Sequence, residues 1–269
     1  MAGIQTDTVT SADGTVIVFD QSGGGPAVVL VQGALLGRAD PVMSGIAAGL
    51  SPWFTVFSYD RRGRGDSGDT RPYAVQRETE DLAALIAAAG GSAAVFGGSS
   101  GAGLAARAAA RNPAITRLAL WEPPYHVDDT APRLPHDFAT QLDDLVSAGR
   151  RAEAVELFLV RAAEASPEDV AGMRGQPFWP AMEASAQTLA YEAFVMGPDN
   201  ALPGGLLAGI TQPTLVLNGG ASPAWMRRAG EAVAGAIPGA VHRVLEGQVH
   251  YVAPEAIVPE LLEFPVSLS

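Results

Sequence analysis

The chain contains no cysteine and no lysine. Without cysteine there is no disulfide, no zinc-thiolate site and no thiol nucleophile, and the redox compartment is left open. Without lysine, all 17 basic residues are arginine, which excludes Schiff-base chemistry and the lysine of a phosphate-binding loop. Histidine is scarce as well: His126, His136, His242 and His250 are the four imidazoles in the chain. Positive charge is in deficit, since 17 basic against 29 acidic residues leave a net charge of −12. Such a surface repels nucleic acid and anionic lipid, and a small neutral organic molecule is the expected partner. No apolar run approaches the length of a membrane span, and Met1 to Thr10 has neither a basic patch nor an apolar h-region, so the expected setting is soluble and cytoplasmic. No metal-ligand spacing or cofactor fingerprint is found, and neither group is expected.

What is present is a length of 269 residues with 48% hydrophobic content, enough for one large core. Thr6 to Thr10 and Thr15 to Asp20 flank Asp13-Gly14 and predict a β-hairpin. Apolar runs at Ala27 to Val31, Phe54 to Tyr59, Ala93 to Phe96, Ile115 to Trp121, Thr214 to Asn218 and Val241 to Leu245 predict buried strands. Helical patterns at Val75 to Ala89, Gly103 to Arg111 and Trp225 to Ala236 fall between them. This alternation predicts an α/β fold with a mostly parallel central sheet flanked by helices. Residues 123–212 carry no convincing strand but show helical patterns at Phe138 to Ala148, Arg151 to Ala165 and Trp179 to Tyr191, punctuated by proline and glycine. They read as a helical cap inserted into a core made of residues 1–122 and 213–269.

The most informative string is Gly97-Gly98-Ser99-Ser100-Gly101-Ala102-Gly103, where an apolar run breaks, offers a serine and enters an alanine-rich helix. In a G-x-S-x-G register, Gly97 and Gly101 flank Ser99 as in a nucleophile elbow, a strained turn that lifts the hydroxyl clear of the backbone. Gly97, Gly101 and Gly103 also match the dinucleotide turn of short-chain dehydrogenases. That turn would follow the first strand, however, and its Tyr-x-x-x-Lys partner is excluded by the absence of lysine.

A serine nucleophile needs a base, and His250, just past the last predicted strand, is the candidate. His242 falls within that strand, and His126 and His136 belong to the cap. A carboxylate should hold the imidazole. The loop Gly219-Gly220-Ala221-Ser222-Pro223-Ala224 has no acid, so Glu122, at the end of the neighbouring strand, takes that role, with Asp199 as the alternative. The expected oxyanion donors are the backbone N–H groups of Ser100 and Ala34, the latter in the turn Gln32-Gly33-Ala34-Leu35.

Ser99, Glu122 and His250 in this order, with Gln32-Gly33 upstream, resemble the α/β-hydrolase superfamily over nearly the whole chain. Tyr59-Asp60-Arg61-Arg62-Gly63-Arg64-Gly65-Asp66-Ser67-Gly68 is similar to its segment after the fourth strand, whose arginines and aspartates brace loops. Glu122-Pro123-Pro124 and Gly219-Gly220-Ala221-Ser222-Pro223 are similar to a bacterial subgroup with the acid after the sixth strand. The chain departs from that pattern at Gln32, where a histidine is usual, and at Gly98.

The resemblance implies a serine hydrolase that cleaves an ester, thioester or lactone through an acyl-enzyme. Gln32, Gly33, Tyr125, Trp179 and Trp225 are the expected substrate-binding residues, and cap aromatics facing inward imply an apolar substrate. A lyase or cyclase on the same fold, and a ligand-binding protein with little turnover, are the competing readings.

Overall fold

Short apolar runs separated by helices satisfy their backbone hydrogen bonds by pairing side by side and cover both faces with the helices between them. The computed structural model describes residues 3–264. In it the chain runs through β1 (Gln5–Thr10), β2 (Val16–Gly23), β3 (Ala27–Val31), α1 (Pro41–Leu50), β4 (Thr55–Tyr59), α2 (Val75–Ala88), β5 (Ala93–Gly98), α3 (Ser100–Ala109) and β6 (Ile115–Trp121). Six helices follow: α4 (Phe138–Ser147), α5 (Arg151–Arg161), α6 (Pro167–Met173), α7 (Trp179–Ser185), α8 (Leu189–Met196) and α9 (Gly204–Leu207). The chain then returns through β7 (Thr214–Gly219), α10 (Ala224–Ala236), β8 (Val241–Leu245) and α11 (Pro254–Glu263).

The strands form one eight-stranded sheet in the order β1-β2-β4-β3-β5-β6-β7-β8. The β1–β2 hairpin is antiparallel, β2 is antiparallel to β4, and every pairing from β4 to β8 is parallel. β3 shows why its run is apolar throughout. Val29 and Val31 join Val95, Leu118 and Leu120 in the core beneath α2 and α3, while Val28 and Leu30 join Phe96 and Trp121 beneath α1 and α11.

Between β6 and β7 the only pairing among the described residues is the single bridge His126↔Ala201. The helices there build their own core around Phe138, Leu142, Val155, Trp179 and Leu189, against which Leu35 packs from the turn after β3. Two predicted helices there are broken. Trp179 to Tyr191 is interrupted by a 3-10 turn at Ala186–Thr188, where Thr188 Oγ1 donates to the Ser185 carbonyl (2.9 Å) and competes with the helical ladder. Arg151 to Ala165 stops at Arg161 because Ser166 caps a new helix, α6, with Pro167 in its first turn. Among the described residues no helix is long and apolar enough to cross a membrane.

Candidate active site

The parallel strands all point their C-terminal ends the same way, and the candidate residues gather there. Ser99 occupies the single position between β5 and α3, with φ 56° and ψ −129°, a backbone that side chains rarely adopt. The flanking glycines make the turn possible. A β-carbon at Gly97 would stand 2.5 Å from the Gly101 carbonyl oxygen, and one at Gly101 would stand 2.5 Å from that of Gln32. The helix begins at Ser100, earlier than its alanine pattern suggested, because Ser100 and Gly101 form its first turn.

Glu122, directly after β6, is also in the left-handed region (φ 44°) and is fully buried. Its Oε1 accepts the Gly219 N–H at 2.8 Å and its Oε2 lies 2.7 Å from His250 Nδ1. A carboxylate that only accepts hydrogen bonds selects, for a neutral imidazole in this contact, the tautomer with its proton on Nδ1 and its lone pair on Nε2. The loop of His250 is fastened by the Ala221 N–H to the Gln248 carbonyl (2.9 Å) and by the Ala253 N–H to Gln248 Oε1 (3.0 Å).

Trp121 ties these pieces together. Its carbonyl accepts the Ser99 N–H at 2.8 Å, and its Nε1–H donates to the His250 carbonyl at 2.8 Å. Ser99 and His250 are therefore anchored to one residue, the neighbour of Glu122. No hydrogen bond joins Ser99 Oγ to the imidazole among the described residues; contacts of this kind often close only around a bound substrate.

The turn after β3 completes the site. A β-carbon at Gly33 would lie 2.9 Å from Ser99 Cβ, so only glycine lets the turn approach so closely. Neither the Ala34 nor the Ser100 N–H meets a protein acceptor among the described residues. Leu35 is a third non-glycine residue at positive φ (64°), so strained backbone occurs at all three turns of the site. Gln32 is fully buried, its amide nitrogen and oxygen without a protein partner among the described residues.

The remaining predicted residues make other contacts. Tyr125 is buried, and burial pushes its phenol up to about 12. Trp179 lies in the core of the inserted helices with Nε1–H donating to Glu183, and Trp225 donates to Glu164 while His126 packs edge-on against it. Asp199, the alternative acid, faces the exposed His136 at 3.5 Å. His242 lies in β8, Nε2 at 2.9 Å from Asn218 Oδ1, and burial lowers its pKa as it does that of His126. No group of three or more histidine, aspartate or glutamate side chains suited to a metal ion occurs among the described residues.

A model of the alpha/beta hydrolase family matches residues 28–260. The chain belongs to that family. It is similar to the solved structure of an alpha/beta hydrolase from Sphaerobacter thermophilus DSM 20745, with 56% identity, a TM-score of 0.91, and coverage of 96% of this chain and 99% of that one. The fold is shared with an enol-lactonase from Burkholderia xenovorans LB400 (22% identity, TM-score 0.73, 96% and 99% of the two chains). It is shared also with the esterase RhEst1 from Rhodococcus sp. ECU1013 (21% identity, TM-score 0.74, 98% and 99%). No curated protein matches the chain.

Two features of this alpha/beta hydrolase were not foreseen from its sequence. Trp121 reads as one more apolar strand residue, and its indole bond to a residue 129 positions away has no local signal. Glu192 is a buried acid in α8 that pairs with Arg61 and Arg64. A lone carboxylate in the apolar run Leu189 to Met196, set against three arginines at 61, 62 and 64, was the available clue.

Proposed function

We propose that the protein is a serine hydrolase acting on an ester, thioester or lactone of a small, apolar organic compound. The observation that carries this reading is the 2.7 Å contact between Glu122 and His250 Nδ1 beside the strained serine that shares the Trp121 anchor. In this reading His250 Nε2 takes the Ser99 proton as Oγ attacks the carbonyl carbon, and Glu122 stabilises the imidazolium. The N–H groups of Ala34 and Ser100 hold the oxyanion. Collapse of the tetrahedral adduct expels the leaving group, which receives the proton from His250; water, deprotonated by the same imidazole, then releases the acid and restores Ser99. Residues 123–212 act as a cap over the site. The fold shared with an esterase and an enol-lactonase is consistent with this chemistry.

The test is to treat the protein with a fluorophosphonate and with p-nitrophenyl esters of graded chain length. Labelling of Ser99 with turnover is expected, and Ser99→Ala should lower kcat on the order of 10⁶-fold. Stoichiometric labelling without turnover would indicate a binding protein, and a folded protein that is neither labelled nor active would refute the role of the serine.

A further inference from the structure

The turn that carries the Ala34 N–H is gripped from beneath by two buried arginines. Arg61 Nη1 donates to the Gln32 carbonyl (3.2 Å), and Arg64 Nη1 donates to the carbonyls of Gly33 and Leu36, the latter at 3.1 Å. Both guanidiniums are in turn held by Glu192 of α8: Oε2 accepts from Arg61 Nη1 at 3.0 Å, and Oε1 accepts from Arg64 Nη2. Thr188 Oγ1 accepts from Arg64 Nε at 3.1 Å, and Glu78 takes the rest of the Arg61 fork at 2.7 and 2.8 Å.

The Gly33 carbonyl and the Ala34 N–H belong to one peptide unit. Because that unit is planar and trans, fixing its oxygen fixes the direction of its hydrogen. A charged donor on the carbonyl also polarises the unit and strengthens its N–H as a donor. The next residue, Leu35, sits at φ 64°, a conformation that a leucine keeps only where its surroundings impose it.

We infer that Glu192 is a positioning residue for hydrolysis: through Arg64 and the Gly33–Ala34 peptide, the inserted helix α8 sets the aim of an oxyanion donor. This rests on the function proposed above. The inserted helices are thereby a working part of the catalytic turn, reaching it through Glu192 and Thr188 as well as through the packing of Leu35.

Asp81 supplies the comparison. It is an equally buried acid paired with an arginine of the same loop, accepting from Arg62 at 2.8 and 2.7 Å, but the other bonds of Arg62 go to Asp13 and the Arg77 carbonyl, away from the turn after β3. Glu192→Gln and Asp81→Asn should both lower the thermal midpoint. Glu192→Gln alone should lower kcat, by roughly 10- to 100-fold with KM little changed, less than the loss of an oxyanion donor outright. It should also slow fluorophosphonate labelling and weaken inhibition by phenylboronic acid, whose tetrahedral adduct uses the same donors. Glu192→Asp should recover part of the rate.

If Glu192→Gln does not fold, Thr188→Val, which removes one partner of Arg64, should show the same kcat-selective loss in milder form. The inference is overturned if the folded Glu192→Gln variant, or failing that Thr188→Val, keeps wild-type kcat and labelling, or if Asp81→Asn loses as much rate. A wild-type protein that no fluorophosphonate labels would instead remove the hydrolase reading, and this inference with it.

Discussion

Replacing Glu122 with glutamine keeps its size and removes its charge. The carboxylate accepts from the Gly219 N–H on one oxygen and from His250 Nδ1 on the other. A glutamine has one acceptor oxygen and one donor NH₂, so it can satisfy only one of these partners in the native way. With its oxygen on Gly219, the NH₂ faces Nδ1 and selects the tautomer protonated at Nε2, which cannot take a proton from Ser99. With its oxygen on His250, the NH₂ faces the Gly219 N–H, and two donors meet at a position with no solvent exposure. Unsatisfied buried donors cost about 1–3 kcal/mol, so the unproductive arrangement dominates by roughly 5- to 150-fold. Loss of the negative charge beside the imidazolium adds to this. Acid-to-amide exchange in the serine-protease triad lowers kcat on the order of 10⁴-fold, and the same size of loss is expected here, about 5 kcal/mol of transition-state stabilisation. The assay is the initial rate on p-nitrophenyl butyrate, with the thermal midpoint confirming a folded variant. A folded variant within about 5-fold of wild-type kcat would refute the assignment, because the tautomer argument alone requires that much.

Ser99→Gly should abolish hydrolysis yet raise stability by about 1–3 kcal/mol, because glycine adopts the φ 56° backbone without strain; an unchanged midpoint in chemical denaturation would contradict a strained elbow. Trp121→Phe removes the indole bond to the His250 carbonyl, worth about 1 kcal/mol, and should lower kcat roughly 5-fold, with a larger effect expected on the order of the His250 loop as read by hydrogen exchange. His126 and His242 have folded-state pKa values held below 6.5 by burial, so the unfolded chain binds the proton first as pH falls. Their contribution to stability is therefore complete above about pH 6.5 and is lost on acidification below it. A His126→Gln/His242→Gln variant should show a flatter fall of thermal midpoint between pH 6.5 and 5, and an unaltered slope would contradict the assignment.

Much of the sheet was legible because burial on both faces demands continuous apolar runs: β3 and β6 begin and end at the residues the hydropathy pattern gives, and so does β8, although as an edge strand it leaves Val241 and Val244 exposed and is not the buried strand expected. The elbow was legible through Gly97 and Gly101, whose missing side chains mark where backbone approaches backbone. Glu122 emerged because the loop after β7 has no acid. By contrast, α1 and α11 were not read as helices, although Val42, Met43, Ile46 and Leu50 of α1 face the core at helical spacing. Gly45 and Gly49 lie in α1 where Pro254 and Val258 of α11 press against it, and Pro259 falls inside α11. These residue types read locally as helix breakers, and only the contact between the two helices explains them. The Glu192 ion pairs were hidden for a related reason: a buried charge is stable only with its partner, and the partners lie 128 and 131 positions away.

The edge position of β8 sets the three residues of the proposed triad on supports of different kinds. Serine and acid are stapled to adjoining central strands, through Ser99 N–H to the Trp121 carbonyl and Glu122 N–H to the Leu217 carbonyl (2.8 and 3.0 Å), and cannot shift without shearing the sheet. The imidazole rides on the segment beyond the outermost strand, its side chain 43% exposed. Under the proposed mechanism the base is thus the one member held from the margin of the sheet, by side-chain bonds from Trp121 and Glu122, so changes in the loop after β8 would act on the imidazole while leaving Ser99 and Glu122 in place.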